Sequence, residues 1–119
     1  MSIRNLYALA LTFALIAFSI ALSLAWTTAQ ADELPTFKLT FKPDGTFEPT
    51  QLVVPAGRFK IELVNASNAP VEFESIPLRK EKVLGPGVQS FVVITISRPG
   101  EYPFFDDFHQ NVKGTLIVK

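Results

Sequence analysis

Hydrophobic and polar residues alternate along several short stretches of the chain after position 35. In the segment 36–42 every second residue is Phe or Leu, and the residues between them are Lys, Thr and Lys. A period of two places the apolar side chains on one face of an extended chain, which is typical of a half-buried β-strand. The alternation predicts a second strand at 58–64, and further extended segments follow at 47–54, 71–75, 90–97, 101–105 and 114–119.

Turn-forming residues separate these segments. The turns are predicted at Pro43-Asp44-Gly45, Pro55-Ala56-Gly57, Gly85-Pro86-Gly87 and Arg98-Pro99-Gly100, with a polar loop at 65–70. Gly accepts the positive φ that many tight turns need, and Pro fixes φ and cannot extend a central strand. Short strands at this spacing, with no helical stretch between them, predict an all-β sandwich.

Two segments carry more specific expectations. The segment 90–97 is apolar on both faces, which predicts a strand that is either central in its sheet or covered by a partner. The charged run Arg79-Lys80-Glu81-Lys82 predicts a solvated loop, and the sharper alternative is a docking surface.

The first part of the chain has the layout of an export signal. Arg4 precedes an uncharged, largely apolar run from position 6 to 26, and the small-residue triplet Ala29-Gln30-Ala31 follows. This order predicts a signal peptide at 1–31, cleavage after Ala31 and a single exported domain at 32–119. The alternative is an uncleaved membrane anchor, because about 20 apolar residues span a bilayer.

Composition excludes several classes of function. The sequence contains no cysteine, which removes disulfides, thiol catalysis and any thiolate–copper bond. The segment 32–119 carries eleven acidic residues and ten of the eleven Lys and Arg, so its net charge is about −1 and it offers no basic patch for nucleic acid. A single histidine, with no serine or cysteine beside it, cannot build the usual hydrolytic triad.

Candidate metal ligands fall in two short segments. Two carboxylates alternate with Phe73 in the predicted strand 71–75, so strand geometry places both on one face. Two more carboxylates and the only imidazole lie within 106–109. The five residues are Glu72, Glu74, Asp106, Asp107 and His109. Carboxylates with one imidazole suit Cu(II), Fe(II), Fe(III) or Mn(II) better than Cu(I). The plain alternatives are a solvated strand face, ordinary turn acids and a structural histidine.

The order of several motifs resembles a cupredoxin domain, which implies a Greek-key β-sandwich. The motifs are Gly45-Thr46-Phe47-Glu48-Pro49, Leu52-Val53-Val54-Pro55-Ala56-Gly57, Pro99-Gly100-Glu101-Tyr102 and Lys113-Gly114-Thr115-Leu116-Ile117-Val118. In a blue-copper cupredoxin, histidine, cysteine, histidine and methionine are the ligands. The matching positions here hold Val71, Asp106, His109 and Val112. The resemblance places both acidic segments at the metal-binding end of the sandwich, and the sequence excludes a blue copper site.

A narrower resemblance concerns the segments 71–75, 78–83 and 104–109. They are similar to the small periplasmic cupredoxin-like proteins of bacterial ferrous-iron uptake systems. Membership implies a periplasmic protein that binds copper and/or iron at a non-blue site and assists Fe(II) oxidation or delivery. The implied partners are an inner-membrane iron permease and a second periplasmic metal-binding protein. Glu72, Asp106 and His109 are the expected ligands, with Glu74 and Asp107 as alternates. The alternative function is a metal-free interaction module that kept the fold.

Overall fold

Nine β-strands form the part of the chain that the structure, a computed structural model, describes, residues 33–119. The strands are β1 Thr36–Phe41, β2 Phe47–Glu48, β3 Gln51–Val54, β4 Gly57–Asn65, β5 Val71–Ser75, β6 Lys80–Leu84, β7 Gln89–Ile96, β8 Gly100–Asp106 and β9 His109–Val118. By its contacts, Leu34–Lys119 is one compact unit. The predicted signal peptide at 1–31 lies outside the described residues. Within 33–119 there is no helix of the length and apolarity that a membrane crossing requires.

The strands form two sheets, which confirms the predicted all-β sandwich. The four-stranded sheet has the order β2-β1-β4-β7, and the five-stranded sheet has the order β3-β9-β8-β5-β6. Two pairs are parallel, β1 with β4 and β3 with β9, and the remaining pairs are antiparallel. Each sheet therefore contains strands that are far apart in the sequence.

The core lies between the two sheets and is built from the alternating apolar positions. Four phenylalanine rings run through it in contact. The Phe47 and Phe104 centroids are 5.3 Å apart, Phe73 and Phe104 are 5.5 Å apart, and Phe41 and Phe47 are 5.7 Å apart. All four side chains are buried, and aromatic pairs at such distances stabilise a core beyond the area they bury. These contacts fix β5 and β8, which carry the candidate ligands, against the opposite sheet.

The structure corrects one expectation about a segment and narrows the alternatives for another. The charged run at 79–82 is not a loop, because its last three residues begin strand β6, which pairs with β5 along its whole length. The exposed charges are those of a sheet edge, where Lys discourages pairing with another chain. Of the two alternatives for 90–97, the central place is excluded, because β7 is the last strand of the four-stranded sheet. Cover by a partner stays a prediction.

A buried asparagine fixes the loop before β5. The Asn65 side chain is 1% exposed, and its Nδ2 donates to the carbonyl oxygens of Ala69, Leu84 and Gly85 at 2.8, 3.2 and 2.9 Å. Its Oδ1 accepts a hydrogen bond from the Ser67 backbone N–H at 3.0 Å. The loop and the turn after β6 are therefore held together by one side chain whose polar atoms are all satisfied.

Candidate metal site

The two acidic segments meet, as expected, where β5 pairs with β8. Phe73 lies opposite Asp106 and Glu74 lies opposite Phe105. The Asp107 backbone N–H donates to the Glu72 carbonyl oxygen at 3.0 Å, which continues this pairing past the end of β8. The carboxylates of the two segments are therefore placed by a sheet rather than by a free loop.

Three carboxylates come together on the solvent face of the five-stranded sheet. One ligand oxygen from each of Glu72, Glu74 and Asp107 lies within 4.8 Å of the other two. The alternation of β5 determines this face, because Val71 and Phe73 point into the core. We call these three residues the acidic cluster. It is the only group of three or more such side chains that residues 33–119 bring so close together.

A fourth carboxylate, Glu81, adjoins the acidic cluster, and sequence reasoning missed it. Glu81 lies directly opposite Glu74 in the β5–β6 pair. Residues directly opposite each other in an antiparallel pair share a face. The only signal in the sequence was its place in the charged run at 79–82, which was interpreted as a loop.

The cluster acids repel one another when they are ionised. Partial burial raises the pKa of Glu72, and the carboxylates of Asp107, Glu74 and Glu81 raise it further. Partial burial and the carboxylates of Asp107 and Glu81 also raise the pKa of Glu74. A cation among these groups would relieve the repulsion, and carboxylate oxygens are the ligands that hard ions prefer.

Asp106 lies on the opposite, inner face and is already fully engaged. Its side chain is 2% exposed. Oδ1 accepts hydrogen bonds from the backbone N–H groups of Glu72 and Phe108, at 2.9 and 3.1 Å, and Oδ2 lies 2.9 Å from His109 Nδ1. A carboxylate that accepts these bonds anchors the β8–β9 turn to β5. In this arrangement Asp106 is not a member of the acidic cluster.

His109 presents only one of its ring nitrogens to solvent. Nδ1 faces Asp106, and the side chain is 39% exposed. Within residues 33–119, Nε2 makes no hydrogen bond. The ring packs beside Gly45, where an added Cβ would lie 3.2 Å from His109 Cδ2 and 3.6 Å from Nε2. A carboxylate on one nitrogen orients an imidazole so that the other nitrogen can bind a metal.

The residues at the cupredoxin ligand positions do not fit a blue copper ion. A blue site needs a thiolate and two imidazoles, and the sequence has no cysteine and one histidine. Val71 is buried in the core, and Val112 packs against it. Asp106, which the motif resemblance matches to the cysteine, uses both oxygens in hydrogen bonds. The five predicted ligands thus separate into the acidic cluster and the Asp106–His109 pair.

Solved cupredoxins share this fold. Auracyanin A, a "blue" copper protein from Chloroflexus aurantiacus, superposes with a TM-score of 0.61 at 16% identity and covers 71% of this chain and 98% of its own. A copper-binding protein solved in its apo form by NMR gives 0.62 at 18% identity, covering 71% and 86%. A purple cupredoxin from Nitrosopumilus maritimus gives 0.55 at 16% identity, covering 70% and 99%. Identities this low establish a common fold and not a common site.

Sequence comparison gives the family. The uncharacterized protein RP394 of Rickettsia prowazekii (strain Madrid E) is 37% identical over 90 residues, which are 73% of this chain and 70% of that protein. The family described as the cupredoxin-like domain matches residues 13–118, nearly the whole chain. The chain belongs to the cupredoxin-like domain family.

Proposed function

We propose that this protein is a periplasmic, non-blue metal-binding cupredoxin that holds an iron ion at the acidic cluster and assists the import of ferrous iron. The observation that carries the proposal is the convergence of Glu72, Glu74 and Asp107 within 4.8 Å, where the end of β8 meets β5. Three carboxylates supply oxygen ligands only, and iron and manganese accept such sets more readily than Cu(I) does.

The proposal also includes a copper site, which is separate from the acidic cluster. Copper is the metal of auracyanin A and of the apo copper-binding protein named above. In this chain a Cu(II) ion would bind at His109 Nε2, because imidazole nitrogen is the ligand that copper favours most here. Asp106 would hold the ring through Nδ1. Copper and iron would therefore occupy different groups of side chains.

The role in transport rests on the narrower resemblance to the periplasmic proteins of iron uptake systems. An oxygen-lined surface site exchanges its ion more readily than a closed one, which suits oxidation or delivery of Fe(II) to a permease. The partners in this proposal are an inner-membrane iron permease and a second periplasmic metal-binding protein. Growth of a deletion strain under iron limitation, with and without complementation by Glu72→Gln, tests this part separately.

Calorimetric titration with Fe(II) under anaerobic conditions tests the site itself. We expect Glu72→Gln to weaken Fe(II) binding, because it removes a charged ligand of the acidic cluster. Glu62→Gln is the matched control, since Glu62 is an exposed acid on the other sheet. Equal affinities of the two variants would refute the acidic cluster as the iron site.

A metal-free interaction module remains the second candidate, and Asp106 is the observation in its favour. The hydrogen bonds of this buried carboxylate hold the β8–β9 turn to β5 without an ion. Absence of binding by Fe(II), Mn(II) and Cu(II) in the folded protein would select this function.

A further inference from the structure

Strand β7 is the one long sheet edge of residues 33–119 that lacks the usual protection. Among the four edge strands, β2 has two residues, β3 has four, and β6 begins with Lys80, Glu81 and Lys82. Natural proteins block edges in these ways, by shortness or by charge, and also with Pro or bulges. β7 runs for eight residues, Gln-Ser-Phe-Val-Val-Ile-Thr-Ile, without a charge, Pro or Gly.

The edge is also regular, and the middle of its solvent side is apolar, with Phe91 and Val93 between the polar Gln89 and Thr95. Its register with β4 is unbroken from Gly57 opposite Ile96 to Val64 opposite Gln89. The outward Phe91 is 53% exposed although its inward neighbours Val92 and Ile94 are buried. Lys60 Nζ lies 4.8 Å from the Phe91 ring centroid and covers part of the ring.

The backbone groups of alternate β7 residues point away from β4. The Asn65 N–H donates to the Val88 carbonyl oxygen at 3.0 Å just outside the register. Alternation in an antiparallel ladder then directs the polar backbone groups of Val92 toward β4 and those of Phe91 and Val93 toward the free edge. The residues whose side chains face solvent are thus also the residues with free backbone hydrogen-bonding groups.

We propose that β7 pairs antiparallel with β7 of a second copy of this chain, which joins the two four-stranded sheets into one. A two-fold axis at Val92 places Phe91 of each copy opposite Val93 of the other, and both residues have their backbone groups at the free edge. The pair brings an aromatic and a β-branched side chain together, a favourable cross-strand combination.

The charges beside β7 are compatible with a second copy as the occupant, whose apolar pair of Phe91 and Val93 is self-complementary. Within one copy Lys60 lies beside Val93 and Glu62 lies beside Phe91. The two-fold axis therefore gives each of the two rows that pair Phe91 with Val93 one Lys60 and one Glu62, with the two β7 strands between them. No row brings like charges together. An edge strand that carried charges would place them close to the same charges of the second copy. One strand pair makes a small interface, so association in the micromolar to millimolar range is expected.

The test measures the sedimenting mass and the hydrogen exchange of individual backbone amides. Both use protein purified after expression of the full chain. We expect the sedimenting mass to double as concentration rises, and amide exchange at Phe91 and Val93 to slow over the same range. Val93→Lys introduces an edge charge and should abolish both effects. Val53→Lys is the matched control, because Val53 is 52% exposed on edge strand β3, and it should leave both unchanged.

Several outcomes would overturn the proposal. One is a monomer at every concentration with unprotected amides at Phe91 and Val93. Another is a dimer that survives in a folded Val93→Lys protein, with folding checked by circular dichroism. A third is protection of these amides at monomer mass, which would mean that a different segment or a bound peptide covers β7.

Discussion

The buried carboxylate of Asp106 accepts a hydrogen bond from the backbone N–H of Glu72 at 2.9 Å, across 34 positions of sequence. The bond joins the end of β8 to β5, and the same oxygen also accepts from Phe108 N–H. An acidic side chain, at the position that the motif resemblance matches to the cysteine of a blue cupredoxin, thus connects the segments without a metal.

The Asp106→Ala variant tests this structural role. Two backbone donors would lose their acceptor in a buried site, so we expect a loss of about 1–3 kcal/mol in the free energy of unfolding. Asp107→Ala, at the half-exposed neighbouring position, is the matched control and should cost much less. Urea denaturation midpoints of the metal-free proteins give the comparison. Equal midpoints would show that Asp106 does not anchor the turn.

Stability of the metal-free protein should depend on pH through the acidic cluster. The pKa values of Glu72 and Glu74 are raised by partial burial first and by neighbouring carboxylates second. The folded state therefore binds these protons more tightly than the unfolded chain does. Their contribution to stability is present below the ordinary pKa of a glutamate and is lost as pH rises through the raised values.

Glu72→Gln should remove part of this dependence and raise the melting temperature of the metal-free protein at neutral pH. Glu62→Gln should not. Melting curves from mildly acidic to neutral pH give the difference between each variant and the wild type. A Glu72→Gln protein that is less stable than the wild type at neutral pH would contradict the electrostatic account.

The Cu(II) complex should lack the intense blue colour of a type-1 site, because that colour needs a thiolate and the sequence has none. Within the chain, His109→Ala should weaken Cu(II) binding more than any single acid substitution does, and should affect Fe(III) less. Absorption spectra and calorimetry measure both effects. Undiminished copper affinity in a folded His109→Ala protein would remove His109 from the copper site.

Because Gly114 of β9 lies directly against the Phe104 ring, even a small side chain at this position is expected to destabilise the protein. A Cβ added at Gly114 would overlap the Phe104 ring, with Cε2 only 2.7 Å away. Gly114→Ala should therefore destabilise the protein by about 1–3 kcal/mol through overpacking. At Gly85 the same change meets Val88 Cγ2 at an ordinary 3.6 Å, so Gly85→Ala is the control. Similar midpoints for the two variants would show that Phe104 can move aside.

Cleavage after Ala31 stays a prediction, and mass spectrometry of the exported protein tests it. We expect a mature N-terminus at Asp32, because Ala29 and Ala31 supply the small residues that processing requires. Ala31→Arg should block processing and leave the protein in the membrane. A full-length, membrane-bound wild type would establish the anchor alternative.

Alternation predicted the strands and most of the core because it depends on local geometry. The rank of a strand in its sheet depends on pairing between distant segments, so the sequence could not decide whether the apolar 90–97 is central or lies at an edge that a partner could cover. The exposed charges of Lys80 and Lys82 made the sequence of β6 resemble a loop. The backbone of β6 nevertheless pairs with β5. At the site, β5 alternation placed Glu72 and Glu74 on one face, but Glu81 needed the β5–β6 register.

The parallel pairing of β3 with β9 constrains the order in which the domain can fold. Gln51–Val54 pairs with the residues from Thr115 to Val118, so β3 cannot take its place in the five-stranded sheet until this distant segment is available. Pairing between segments this far apart in the sequence forms slowly, because the chain loses the entropy of loop closure before the stabilising contacts form. In a chain that crosses a membrane unfolded and N-terminus first, β3 stays unpaired on that edge until β9 has also crossed. Pairing of β9 with β3 therefore completes the five-stranded sheet.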